Sequence, residues 1–158
     1  MAYTASDAYC AQASVEARVQ RGAFGTTTIP TATQVLEFMA QRAAQIQGLL
    51  FAAGQLYTPS SGGNAFPSGS ASDFQKALQR LAEAANAVLA AADVAAARSY
   101  RESGTITEEA KGLWAQGRDL AAQLDVLAKT GGVGEASEAS VAANTQELDE
   151  MFSMDTEW

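Results

Sequence analysis

Glu108 and Glu109 stand side by side, and paired carboxylates are what general acid–base chemistry or a divalent cation uses. Neighbours on a helix point about 100° apart, and both acids fall where a helix is expected to begin, so they complement its positive end instead. Gly131-Gly132-Val133-Gly134 has the glycine density of a phosphate-cradling loop, but it follows a helical pattern and lacks the Gly-Lys-Ser/Thr ending. It reads as a linker, and no nucleotide site is expected. Cys10 is the only cysteine, and there is no histidine. That excludes internal disulfides, zinc sites built on His or Cys, and nucleophile triads with a His base. No basic residue lies within four positions of Cys10 to lower its pKa, so it reads as a small residue on a helix face. The expectation is a protein that is not an enzyme and has no cofactor or metal.

Charge and aromatic residues speak instead to partners. Residues 1–130 hold 11 acids and 10 bases, whereas 131–158 hold 7 acids and no base, so the net charge of −8 belongs almost wholly to the tail. Arg80, Arg98, Arg101, Lys111 and Arg118 are spread out and read as solvated helix charges or a polar subunit rim. Without a basic stripe the chain is not expected to grip nucleic acid. Leu148, Met151, Phe152, Met154 and Trp158 lie in a segment too polar to build its own core. They either fold back on the body or are captured by another protein, as aromatic anchors on a tether commonly are. Trp114, beside Leu113 at the start of a helical pattern, is a candidate for the core or for a subunit contact.

The elements that must carry these residues are helical. The chain has 158 residues, of which 35 are alanine, 47% are hydrophobic and 18% charged. This fits one compact all-α domain, with no apolar run long enough to span a membrane. A first helix is expected over Ser6 to Val19, with Val15 and Val19 on one face. A loop from Gly22 to Thr31 follows, and Thr31 with Gln34 forms a capping-box signature for a helix to about Ala53. Along it Val35, Met39, Ala43, Ile46 and Leu50 form a stripe that Leu36, Phe38 and Leu49 widen, so more than one packing partner is expected. Leu36, Phe38, Leu49 and Trp114 are the subunit-interface candidates. Gln55 to Ala71 is a long Gly/Pro/Ser loop. A heptad-like helix is then expected from Ser72 to Tyr100 through Phe74, Leu78, Leu81, Ala85, Val88 and Ala92. A last long helix opens at Thr105 to Glu108, with Leu113, Gly117, Leu120, Leu124 and Leu127 on one face, and stops at Gly131-Gly132. The reading is a bundle of three to four main helices over 1–130, a long loop, and an extended acidic C-terminal arm over 131–158. Because alanine buries little area at about 25 cal/mol per Å2, association of copies is expected to complete the burial.

Ser14-Val15-Glu16-Ala17-Arg18-Val19, the Gly/Thr loop to Pro30, and Thr31-Ala32-Thr33-Gln34-Val35-Leu36-Glu37-Phe38 continuing to Ala53-Gly54 together resemble the start of the head-tail connector proteins of long-tailed bacteriophages. These are also called portal adaptors. The resemblance covers roughly Ala13 to Tyr57. It implies a virion structural protein at the neck, in a ring of about twelve subunits closed by head-to-tail contacts. The ring would join the portal protein to a neck, stopper or tail protein and extend the channel through which double-stranded DNA passes without sequence-specific contact. It also implies an assembly arm at the C-terminus, where Leu148 to Trp158 would hold the portal or a neighbouring subunit. The chain would be made in the host cytoplasm; Met1 to Arg18 has no basic start followed by an apolar stretch, so no secretory signal is expected. The alternative is a small secreted helical-hairpin effector or its helical partner, although Trp114-Ala115-Gln116-Gly117 lacks the Trp-Xaa-Gly turn of that class.

Overall fold

The computed structural model describes residues 4, 7–19, 23–55, 57, 59 and 73–130. Among the described residues there are four helices and no strand: α1 (Gln12–Arg18), α2 (Ala32–Ala52), α3 (Asp73–Ser103) and α4 (Glu108–Thr130). Most of the loop expected at 55–71, including all of 60–71, the arm from Gly131 onward and its five anchor residues Leu148, Met151, Phe152, Met154 and Trp158 lie outside the described residues.

Helix α2 starts as its sequence dictates. The Thr31 side chain accepts from the Gln34 amide while the Gln34 side chain accepts from the Thr31 amide, so both free amides are satisfied. It ends at Ala52, followed by Gly54 at φ 77°, a backbone conformation that glycine adopts at little cost. Val35, Met39, Ala43, Ile46 and Leu50 are all fully buried.

Helix α3 is the axis of the bundle. At 31 residues it spans about 46 Å, and each of the other three helices packs on it. Every residue from Asn86 to Ala95 is buried, so over this stretch the helix is covered on all sides within one chain. The alanines here complete their burial without a second copy. They let neighbouring helices close in from several directions at once, which the 86–95 stretch needs and larger side chains would prevent. The helix continues past Tyr100 to Ser103 and ends at Gly104, φ 70°.

Helix α4 buries Gly117 and Leu124 of its expected stripe and packs the other three leucines half-buried on the core, with its small residues at the centre of the face. Its buried residues are Ala110, Gly117, Ala121, Leu124, Asp125 and Ala128, while Leu113, Leu120 and Leu127 are half-buried. The seam against α3 is made of small residues with leucines on its flanks. Gly117 shows why: a Cβ there would sit 2.5 Å from Leu89 Cδ2 and 2.6 Å from Leu89 Cγ. Gly117→Val is therefore expected to lower stability by about 2 kcal/mol through overpacking. Gly117→Ala costs less, because helix propensity returns about 1 kcal/mol. Urea unfolding checks this, and pairing Gly117→Val with Leu89→Ala should cost less than the sum of the two single effects.

Helix α1 is shorter than its sequence suggests, beginning at Gln12 instead of Ser6. The residues ahead of it are held elsewhere. Thr4 and Asp7 bond to each other, with the Asp7 carboxylate accepting from the Thr4 amide at 2.7 Å and the Thr4 carbonyl accepting from the Asp7 amide. The Tyr9 and Cys10 amides are taken by a side chain of α3. Val15 and Val19 do share a buried face.

Candidate functional site

Two buried polar centres organise the bundle. In the first, Arg42 of α2 forms a two-pronged ion pair with Asp93 of α3, Nε to Oδ2 and Nη2 to Oδ1, each 2.7 Å. Both side chains are almost wholly buried. Arg42 Nη1 donates to Gln45 at 2.9 Å, and Trp114 of α4 donates its indole N–H to Asp93 Oδ1 at 3.1 Å. Three helices thus meet on one carboxylate, and its charge is matched by a planar fork of the complementary shape.

The second centre is Asn86, also buried. Its side-chain oxygen accepts from the backbone amides of Tyr9 and Cys10 at 2.9 and 3.2 Å, and its amide nitrogen donates to the Met39 carbonyl at 2.9 Å. One side chain ties the N-terminal segment to α2 and α3. The Tyr9 hydroxyl continues the strap by donating to the Tyr57 carbonyl, and Gln75 of α3 donates to the Tyr57 hydroxyl.

Cys10 sits beneath this strap, and burial pushes its thiol up to about 12 from an ordinary 9.0. Burial raises the Tyr9 phenol as well. Neither group ionises readily while the chain is folded, so Cys10 has no nucleophilic character there. The sign for stability follows: each raised pKa contributes stability that is present below the unfolded value and lost as pH rises through the folded one. Stability is expected to fall between pH 9 and about 12, and Cys10 to resist alkylation by iodoacetamide at pH 8 until the chain unfolds. Urea midpoints across that range, and mass spectrometry of the thiol, check both.

The interface candidates divide. Leu49 is a core residue, 8% exposed, meeting Leu89 and Ala121, and Trp114 packs against the same cluster while bonding Asp93. Leu36 and Phe38 are half-buried against the cluster between α1, α2 and α3. The stripe on α2 is wide because α2 meets partners within its own chain.

Glu108 and Glu109 lie exposed in the first turn of α4, and Glu108 pairs with Lys111 at 2.7 Å. Among the described residues no group of three His, Cys, Asp or Glu side chains is placed to hold a metal ion. No described helix is long and apolar enough to cross a membrane. A shallow cleft of about 100 Å3 between α1 and the α3–α4 turn is lined by Val19, Ala95, Arg98, Ser99, Glu102, Thr107 and Glu109. It has room for a few water molecules. Arg98 is not a solvated charge: its guanidinium lies 5.1 Å from the Phe24 ring centroid and donates to the Ile29 carbonyl.

Among the described residues, the exposed large apolar side chains stand at opposite ends of the bundle. Residues 42–50 of α2 run antiparallel to α3, since Arg42 reaches Asp93 while Ile46 and Leu50 share a cluster with Leu78 and Ala82. Ile29 and Tyr100, 45% and 58% exposed, therefore lie at one end of the bundle, and Phe51, 43% exposed, at the other. The C-terminus of α4 is at the Phe51 end, where Gln55 bonds the Ala128 carbonyl. No protein family, curated protein or solved structure matches this chain.

Proposed function

We propose that the chain is a subunit of a bacteriophage head-tail connector, a ring of about twelve copies between the portal and the neck or tail. The observation that carries this reading is the start of the fold. A short α1, a Gly/Thr loop closed by Pro30, and a long α2 opened by the Thr31–Gln34 capping box follow in the order of the resemblance drawn from the sequence. Two further long helices complete the bundle.

The surface chemistry suits assembly better than catalysis. A closed ring needs two unlike patches on each subunit that mate head to tail, and the exposed apolar residues stand at opposite ends of the bundle. With 11 acids against 10 bases over residues 1–130 and no base after Thr130, the chain offers no basic stripe to hold phosphate, which suits a channel through which DNA passes without being gripped.

Electron microscopy of the purified full-length chain, alone and mixed with the portal protein encoded in the same genome, tests the proposal. Rings that cap the portal are the expected result. A chain that stays monomeric in both samples and leaves the portal bare overturns it.

A further inference from the structure

We propose that in the free chain residues 139–152 turn back as a fifth helix on their own body and lie along the flank where α2 and α4 are neighbours, with Leu148 and Phe152 as the main contacts. The receiving surface follows from the packing. Trp114 and Ala122 of α4 meet Leu49 of α2 over Leu89 of α3, which makes this the shared side of α2 and α4. The two helices run the same way there, because Arg42 and Trp114 both bond Asp93 at one level while Gln55 reaches the Ala128 carbonyl at the other. Just outside Leu49 on α2 come Gln41, Gln45, Gly48 and Ala52, and Gln45 borders the Asp93 centre by accepting from Arg42. On α4 the half-buried Arg118 stands one turn from both Trp114 and Ala122.

This flank lacks the charge that solvated helix faces carry. From Phe38 to Gln55 there is no acid and a single base, Arg42, which Asp93 neutralises. On α4 the buried Asp125 is answered by Lys129, and Asp119 points about 100° away from Arg118. A charge-poor strip with one arginine has the composition of a protein-covered surface. Residues 131–158 have the matching character, with 7 acids and no base. On a helix Val141, Leu148, Met151 and Phe152 fall within about 100° of one another, and Glu147, Asp149 and Glu150 lie outside that arc. The lengths agree as well. Thr130 leaves α4 beside the Gln55–Ala128 contact, at one end of the strip. Residues 131–138, with glycines at 131, 132 and 134, span up to about 27 Å, enough to reverse direction. A helix over 139–152 is about 21 Å long, the distance α4 covers from Ala128 back to Trp114. Leu148 then lies near Gly48, and Phe152 reaches Arg118 and Trp114. The docking is a property of a single chain, whether or not copies form a ring. It keeps the arm from engaging anything else until a partner binds it more tightly than its own body does.

Amide hydrogen exchange on the full-length chain, followed across a wide range of concentration, tests this. Residues 139–152 are expected to exchange about tenfold or more slowly than an unstructured segment, to the same degree at every concentration. Leu148→Ser/Phe152→Ser changes only the arm and should remove the protection. Gly48→Glu, at an exposed position where glutamate is the better helix former, and Arg118→Glu should each remove it too. Exchange in α1–α4 should stay slow in both, which shows in the same data that the body is folded. An unprotected segment in the unaltered chain overturns the proposal. Protection that survives either body variant overturns the site. Protection that grows with concentration assigns the segment to a second copy and overturns the own-chain claim. Rings on the portal combined with any of these failures remove this inference alone, and a protected arm on a chain that forms no rings removes the connector reading alone.

Discussion

Asp93→Ala is expected to destabilise the fold by about 3–5 kcal/mol, the largest effect of any single change in the bundle. Removing the carboxylate leaves the Arg42 guanidinium buried without its counter-charge, and also strips the Trp114 indole of its acceptor. The cost is that of the orphaned charge and not the worth of the pair. Arg42→Met combined with Asp93→Leu removes both charges and should therefore recover most of the loss. Urea unfolding of the three variants decides between these accounts. Equal destabilisation by the single and the double variant would show that the pair contributes net stability through its own attraction. Recovery in the double variant would leave the pair's role as one of register: it meets at a single height on α2, α3 and α4, and a slide of one turn in any helix separates it.

Asn86→Leu should cost about 2–4 kcal/mol for a different reason. The shape is kept, but the Tyr9 and Cys10 amides lose their acceptor and the Met39 carbonyl its donor. Because that loss is confined to one segment, its signature is local. Amide hydrogen exchange over residues 7–19 should accelerate well before exchange in α3, and the Cys10 thiol should become open to alkylation at pH 8. Exchange that rises uniformly through all four helices would mean that the segment is not a separate strap but part of a single cooperative core.

The two centres explain why some of the architecture was legible in the sequence and some was not. Periodicity is a local property, so the α2 stripe of Val35, Met39, Ala43, Ile46 and Leu50 predicts a buried face that the structure contains residue for residue. The capping box at Thr31 and Gln34 is local too. The α4 stripe was met in part: Gly117 and Leu124 are buried and Leu113, Leu120 and Leu127 pack half-buried on the core, whereas Ala110, Ala121 and Ala128 went unread because their burial depends on how near α3 comes. Arg42, Asn86 and Asp93 carried no signal at all. Each is a polar residue in a helical run, and only a partner 47 to 77 positions away in sequence makes it indispensable.

By itself the sequence determined the helical class, the start and stop of α2 through its capping box and Gly54, and the segregation of acid into the residues after Thr130. Each of these follows from interactions within a few residues. Tertiary structure alone decided that α3 is enclosed on every side, that Leu49 belongs to the interior, and that Tyr100 and Ile29 share one end while Phe51 stands at the other. Those outcomes depend on which helices lie side by side, and adjacency in space is set by the sum of all the packing faces at once.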